Sequence, residues 1–353
     1  MDVDLGSSWW IRDVEVPSRL VLAPMAGVSV QAFRRQGRRF GAGLVCSEMV
    51  SVAGIQHRNE RTLGYLRVAS DEHPLAIQIF GSDPGAMAEA ARMVEAAGAD
   101  IVDMNFGCPV RKVTKTGAGA SLLDDPDNAC RLVSAVASAT ALPVSVKMRR
   151  GVQNGSRVCL DVGPRLVEAG AASLTLHPRS AKQMYTGTAD HSLTAELVTL
   201  VDVPVIASGD VASRARAQSV LATTGAAAVM VGRAAQGNPW VLREIMGDDD
   251  EPSREEIVAE LVLFMRETVR ELGDHRALGF LKKFYGWYLG RGRFPRPFKQ
   301  ELVMLPSLEE VESRLLKAAP GARFVLERLL SELPDPADEV LLDSLPISIY
   351  GGG

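Results

Sequence analysis

A (β/α)8 TIM barrel followed by a small C-terminal helical domain is the fold this 353-residue sequence predicts. Three observations carry it. Short apolar runs alternate with helical patterns eight times over roughly 225 residues, close to the ~250 typical of such barrels. Punctuation repeats: Gly98-Ala99, Gly170-Ala171 and Gly225-Ala226 each close a helix just ahead of a strand, and Pro74, Pro143 and Pro204 stand at strand starts. Polar and ionisable residues recur at the C-terminal ends of the runs, the end where barrels gather their chemistry. A doubly wound open sheet is the alternative. It usually carries a glycine-rich dinucleotide loop after its first strand, and Ala23-Pro24-Met25-Ala26-Gly27 is not such a loop.

The expected strands are 20–23, 44–47, 75–80, 101–105, 144–148, 173–177, 205–208 and 228–231. Several are near-continuous apolar runs, as for parallel strands buried on both faces. The clearest helix runs from Pro84 to Gly98. Ser82 and Asp83 suit its cap, Pro84 suits its first turn, and Met87, Ala90, Ala91 and Val94 share one face. The acidic stretch Gly247-Asp248-Asp249-Asp250-Glu251-Pro252 breaks the pattern. Beyond it Ile257, Leu261, Phe264, Met265 and Val269 recur at helical spacing, with further amphipathic stretches around 308–316 and 322–333. The expected division is a catalytic barrel over 1–247, a helical domain over 251–333 and a loosely held tail over 334–353.

A chain of this length can bury one large core and still carry a second domain. Its 46% hydrophobic and 23% charged residues are those of a soluble globular protein. No apolar run is long enough to span a bilayer, and Met1-Asp2-Val3-Asp4 lacks the basic and apolar regions of a signal peptide. Cys46, Cys108, Cys130 and Cys159 have neither disulfide-framework nor metal-ligand spacing. A cytoplasmic monomer with no membrane or metal partner is the expectation. The net charge of −4 means that any affinity for nucleic acid must come from a local basic patch.

Leu281 to Lys299 supplies one: the segment has no acidic residue and interleaves Lys282, Lys283, Arg291 and Arg293 with aromatics. That composition tracks phosphates and stacks on bases. For Phe284, Trp287 and Tyr288 a place in a helix core is the better reading, with the cations left to face RNA.

The strand ends read in order as Pro24-Met25-Ala26, Glu48, Gln78, Asn105 with Cys108, Lys147 with Arg149, His177 with Arg179, Ser208-Gly209-Asp210, and Gly232-Arg233. Loops after the seventh and eighth strands of many barrels hold a phosphate through backbone N–H groups, and the last two ends have the glycines and the cation for it. Around Cys108, Gly107 breaks the strand and Pro109 keeps the thiol out of helical geometry. Gly117, Ala118, Gly119 and Ala120 allow a close backbone approach. A buried thiol in a tight structural turn is the competing reading.

Together these residues resemble the tRNA-dihydrouridine synthases, closest to their bacterial B-type branch. The likeness rests on Ala23-Pro24-Met25-Ala26-Gly27, Ser47-Glu48-Met49, Gln78-Ile79-Phe80-Gly81, Asn105-Phe106-Gly107-Cys108-Pro109, Lys147-Met148-Arg149 and His177-Pro178-Arg179. Ala181 to Gly187, Gly209-Asp210, Gly232 to Trp240 and Trp287-Tyr288-Leu289 complete it, in the family's order. Two residues depart: Ser208 stands where the family usually has Asn, and Val28-Ser29-Val30 where it usually has an Asp. The resemblance implies an enzyme that reduces the C5=C6 bond of tRNA uridines, with bound FMN and NADPH as reductant. It further implies that Pro24, Met25, Ala26, Gln78, Lys147, Ser208, Gly209, Asp210, Gly232 and Arg233 hold FMN. Asn105, Arg149, His177 and Arg179 would meet the uridine, Lys282, Lys283, Arg291 and Arg293 the rest of the tRNA. Cys108 would be the general acid; an ordinary thiol stays mostly protonated at neutral pH, and cationic neighbours could lower its pKa. A flavin barrel acting on small molecules explains the barrel but not the basic segment. A non-catalytic RNA-binding protein leaves Cys108, Lys147 and His177 idle.

Overall fold

A hairpin, β1 (Trp9–Ile11) and β2 (Val14–Val16), precedes the barrel strands β3 (Leu20–Leu22) and β4 (Leu44–Cys46). A two-residue β5 (Val50–Ser51) follows, then β6 (Leu75–Phe80), β7 (Ile101–Phe106), β8 (Val144–Arg149), β9 (Ser173–His177), β10 (Val205–Ser208) and β11 (Ala228–Val231). In this computed structural model, which describes residues 3–334, all sheet pairings outside the hairpin are parallel. The order β4-β3-β11-β10-β9-β8-β7-β6 closes through a β4–β6 pairing. This is the expected eight-stranded barrel. The expected tail falls, from residue 335, outside the described residues.

The strands form where branched apolar residues cluster, and those of β7 and β9 are buried on both faces because helices cover the outside and the barrel fills its own interior. The Pro84–Ala96 helix starts as its sequence signals: Ala86 N–H donates to the Asp83 side chain at 2.8 Å. It buries Met87, Ala90, Ala91 and Val94.

The hairpin is one element that the sequence pattern did not reveal, since three-residue strands are too short to show a period. Trp9, Ile11 and Val16 pack with Val21, Leu44, Ala76, Ile101, Ile206 and Ala228 inside the barrel. Most of these stand at or near the starts of their strands, so the hairpin plugs the N-terminal end. Trp9 Nε1 donates to the Ser18 carbonyl at 3.0 Å.

The C-terminal region is helical: Arg254–Leu272, Asp274–Arg291, Arg296–Met304, Leu308–Ala318 and Ala322–Glu332. The Arg296–Met304 helix lies where the Pro-rich end of the basic segment gave no helical signal. The region lies directly on the barrel's Gln31–Arg39 helix through buried polar groups. Gln36 Nε2 donates to Glu260 at 2.8 Å, Tyr288 OH donates to Gln36 Oε1 at 2.6 Å, and Arg35 meets Glu267 at 3.1 Å. Such buried networks add little net stability, but mismatched positions would strand their charges. They therefore fix one docked position. Phe40, Trp240 and Tyr288 meet edge to face beside them, and Tyr288 stacks on Phe264. Gly237, at a φ of +59°, leaves no room for a side chain against Trp287 and Tyr288.

Candidate functional site

Side chains alternate along a strand, so Gln78, Asp103 and Asn105, Lys147 and Arg149, His177, and Ser208 all face the barrel interior at its C-terminal mouth. Register brings them together: Gln78 is paired with Asp103, Asn105 with Lys147, and Arg149 with His177.

A buried chain of hydrogen bonds runs to the cysteine. Ser145 Oγ and Gln78 Nε2 (2.6 Å) both donate to Asp103. Asn105 Nδ2 donates to Gln78 Oε1 at 2.7 Å. Asn105 Oδ1 then accepts from the N–H groups of Gly107 (3.1 Å) and Cys108 (2.8 Å). Burial pushes the Asp103 carboxyl up to about 6, against the pull of Ser145, Gln78 and Lys147. This chain takes both polar ends of Asn105, so its first role is to hold the Cys108 backbone.

The close approach expected of residues 117–120 is made to Cys108 itself. Ala120 N–H donates to the Cys108 carbonyl at 3.0 Å. Gly119 sits at φ +66°, and a Cβ there would lie 2.7 Å from the same oxygen. Burial raises the half-buried thiol above its ordinary value, outweighing a backbone hydrogen bond at Val110 and the charges of Arg149 and Lys147. The cationic neighbours do not make a thiolate of it.

Arg149 and Arg179, expected to face substrate, are almost fully buried and largely engaged by protein. Arg149 donates to the carbonyls of Gly107 (3.0 Å), Ser180 (2.8 Å) and Met184 (2.7 Å). Arg179 donates to Thr186 O, Gly187 O and both oxygens of Asp210 (2.8 and 2.7 Å). In this structure these guanidinium groups shape the loops around the mouth. Asp210, expected at the cofactor's phosphate end, turns its carboxylate to Arg179 and the Ala189 N–H. Arg179 Nη1 lies 3.3 Å from His177 Nε2. Arginine can only donate, so Nε2 accepts and the imidazole proton sits on Nδ1. Burial, then the charges of Lys147, Arg149, Arg179 and Arg233, hold His177 down at about 2. It is a neutral donor.

Lys147 finds no hydrogen-bond acceptor among the described residues. Burial first, then Arg149, lower its amine to about 8. Gly209, at φ +112°, is required by His177, whose Cδ2 a Cβ would meet at 2.8 Å. Gly232 stands next to Arg233, whose guanidinium is half exposed, 4.0 Å from Asp210 and 4.6 Å from the Tyr185 ring centroid. Ser208 is buried at the end of β10, while Pro24, Met25 and Ala26 are partly open at the rim.

In the basic segment Phe284 and Tyr288 are core, as read from the sequence, but Trp287 is 37% exposed. Lys282 and Arg293 are exposed. Lys283 donates to the Gly27 carbonyl of the barrel. Arg291, also expected to meet tRNA, is held by Asn238, Glu244 and Glu251 as part of the seam.

Sequence reasoning missed Asp103 and Tyr185. Asp103 stands two residues before Asn105, hence on the same face, and that spacing could have found it. Tyr185 is exposed on a loop, with its ring 6.3 Å from that of His177, and no periodicity marks it.

The donor set suits an organic cofactor with an electron-poor, carbonyl-bearing ring and a phosphate. The Lys147 amine, without a hydrogen-bond acceptor, and the Gln78 amide stand at interior positions of β8 and β6. Arg233, with free donors, lies toward the phosphate-type loops. The fit rests on the orphaned Lys147.

A plugged parallel barrel with a cationic, proton-bearing mouth defines a cofactor-dependent barrel enzyme. The family model "Dihydrouridine synthase (Dus)" matches residues 21–321. The chain is 37% identical over 300 residues to tRNA-dihydrouridine synthase B of Pseudomonas aeruginosa, covering 82% of this chain and 89% of that one. It is 38% identical over 278 residues to a probable tRNA-dihydrouridine synthase of Rhizobium leguminosarum bv. phaseoli, covering 79% and 87%. Among solved structures, morphinone reductase superposes with a TM-score of 0.53 at 15% identity, over 69% of this chain and 90% of that one. Histamine dehydrogenase from Rhizobium sp. 4-9 does so at 0.56 and 11%, over 74% of this chain and 51% of that chain. These two show the fold. The chain belongs to the dihydrouridine synthase family and is a flavin-dependent oxidoreductase.

Proposed function

We propose that this enzyme reduces the C5=C6 bond of uridines in tRNA to 5,6-dihydrouridine, with FMN bound at the barrel mouth and NADPH as the reductant. Bound FMN, once reduced, supplies the hydride that adds to C6 of the uracil. Lys147 and the remaining Gln78 N–H hold the polar edge of its ring system. Ser208, Gly209, Gly232 and Arg233 surround its phosphate, Arg233 as the cation. Pro24, Met25 and Ala26 line the rim. The Cys108 S–H then gives its proton to C5, the S–H bond breaking as C5–H forms, and the thiolate recovers a proton from solvent. His177, neutral, donates from Nδ1 to a carbonyl oxygen where negative charge develops. Asn105, Arg149 and Arg179 position these groups.

The helical residues 251–333 hold the tRNA, with Lys282 and Arg293 as phosphate contacts. The target uracil must leave its stack to enter the mouth.

The observation that carries this reading is a half-buried thiol whose backbone is fixed just past a strand end, with the acceptor-less Lys147 on the neighbouring strand. Purified protein tests it: it should show the visible absorption of an oxidised flavin, bleach with NADPH, and recolour on adding unmodified tRNA. Recolouring with free uridine at an equal rate would instead favour a small-molecule flavin barrel.

A further inference from the structure

The Gln31–Arg39 helix follows directly on the rim loop Pro24–Val30, and its start lacks a cap of its own. Val30 is the N-cap residue, and it offers no side-chain acceptor to the first N–H groups. The acceptor comes from another part of the chain. Glu271 Oε2 accepts from the Ala32 N–H at 3.4 Å, with the Gln31 N–H close to the same carboxylate. Glu271 lies in the last turn of the Arg254–Leu272 helix. An acid is disfavoured at that end of its own helix and favoured at the start of another. Arg67 Nη1 fixes the same residue by donating to its main-chain carbonyl at 3.1 Å.

A second contact from the helical region reaches the same loop. Gly27, at φ +70°, has both flanking peptide groups held. Its N–H donates to Glu48 Oε2 at 2.6 Å, and its carbonyl accepts from Lys283 Nζ. Within the loop, Met25 N–H donates to Ser29 Oγ, which in turn donates to Ala23 O, both at 3.0 Å.

We infer that Glu271 is the N-cap of the Gln31–Arg39 helix, supplied by the helical region, and that with Lys283 it positions the Pro24–Val30 loop. The helical region is thus a working part of the barrel's mouth as well as a surface for RNA. Glu271 and Lys283 are positioning residues. They act on the rim through the peptide groups of Gly27, Gln31 and Ala32. The rim's contact with FMN rests on the function proposed above; the capping does not.

The test uses the full chain and amide hydrogen exchange. In Glu271→Ala, exchange at Gln31 and Ala32 should quicken roughly tenfold, the usual consequence of a lost cap. Glu271→Gln keeps the acceptor and should stay within about threefold of wild type. Val30→Thr has the shape of valine and adds a hydroxyl at the N-cap. Combined with Glu271→Ala it should restore most of the protection and the flavin retained through gel filtration. Unchanged exchange in Glu271→Ala, or equal loss in the Gln and Ala variants, would overturn the capping role. So would failure of Val30→Thr to restore protection. Restored protection without restored flavin would keep the cap and count against the rim as part of the flavin site.

Discussion

A thiol raised above its ordinary value is a proton donor over the whole physiological range. The proton-transfer half-reaction should therefore be flat through neutral pH and fall only above about 8.5, the ordinary thiol value. Single-turnover oxidation of the reduced enzyme by tRNA, followed against pH, checks this. Cys108→Ala should fold, bind flavin and be reduced normally, yet transfer to tRNA should slow by roughly 10²–10⁴-fold, the usual contribution of a positioned acid. His177 is too strongly discharged to take over. Equal slowing of both half-reactions would move Cys108 from proton donor to pocket wall. Lys147→Ala should leave a folded protein with little flavin, measured by its visible absorbance relative to protein.

Loops decide where those residues point. Gly119→Ala would add a Cβ against the Cys108 carbonyl at a positive φ. It should depress transfer to tRNA at least tenfold while flavin content and reduction persist, an effect comparable to backbone strain of 1–3 kcal/mol. Flavin loss of the same size would mean that this turn supports the whole mouth. Much of this scale was legible in the sequence. Each barrel strand begins and ends within one residue of its expected place, because branched runs between glycine and proline leave little choice. The partners of side chains were not legible. Arg149, Arg179 and Arg291 look like free cations in a string of letters, and only the folded chain brings Gly107, Asp210 and Glu244 to them. The β1–β2 hairpin escaped for the opposite reason, being too short to carry a pattern.

At the scale of the molecule the seam between barrel and helices makes stability depend on pH. Burial raises Glu267 and Glu271 to about 7, against opposing charges from Arg35 and Arg39, and from Arg34. Unfolded, these carboxyls titrate near 4.3, so between about 4.5 and 7 the folded state binds more protons. Their contribution is full below the unfolded value and is lost as pH rises through 7. His177 acts oppositely: folded at about 2 and unfolded near 6.5, it lowers stability as pH falls below 6.5. The melting temperature should thus rise as pH falls from 8, and rise less steeply below about 6.5, because two carboxyls gain a proton on folding against one imidazole that forgoes one. Glu267→Gln should flatten the alkaline side. For RNA, replacing Lys282 and Arg293 with Ala should reduce the slope of log affinity against log salt by about 0.7–0.9 per lost phosphate contact. Arg291→Ala should leave that slope alone and lower the melting temperature, because its partners are Glu244 and Glu251.

The Trp9–Val16 hairpin bears on the order of events in the proposed reaction. With the N-terminal end of the barrel filled by Trp9, Ile11 and Val16, the proposed nicotinamide donor and tRNA nucleotide would share the C-terminal mouth. On that reading they would take turns, each leaving before the other arrives. Initial-rate plots with both substrates varied should give parallel lines, and saturating tRNA should slow reduction by competing with the donor. Intersecting lines would require a second entrance. Loosening the plug, as with Trp9→Ala, would be the way to make one.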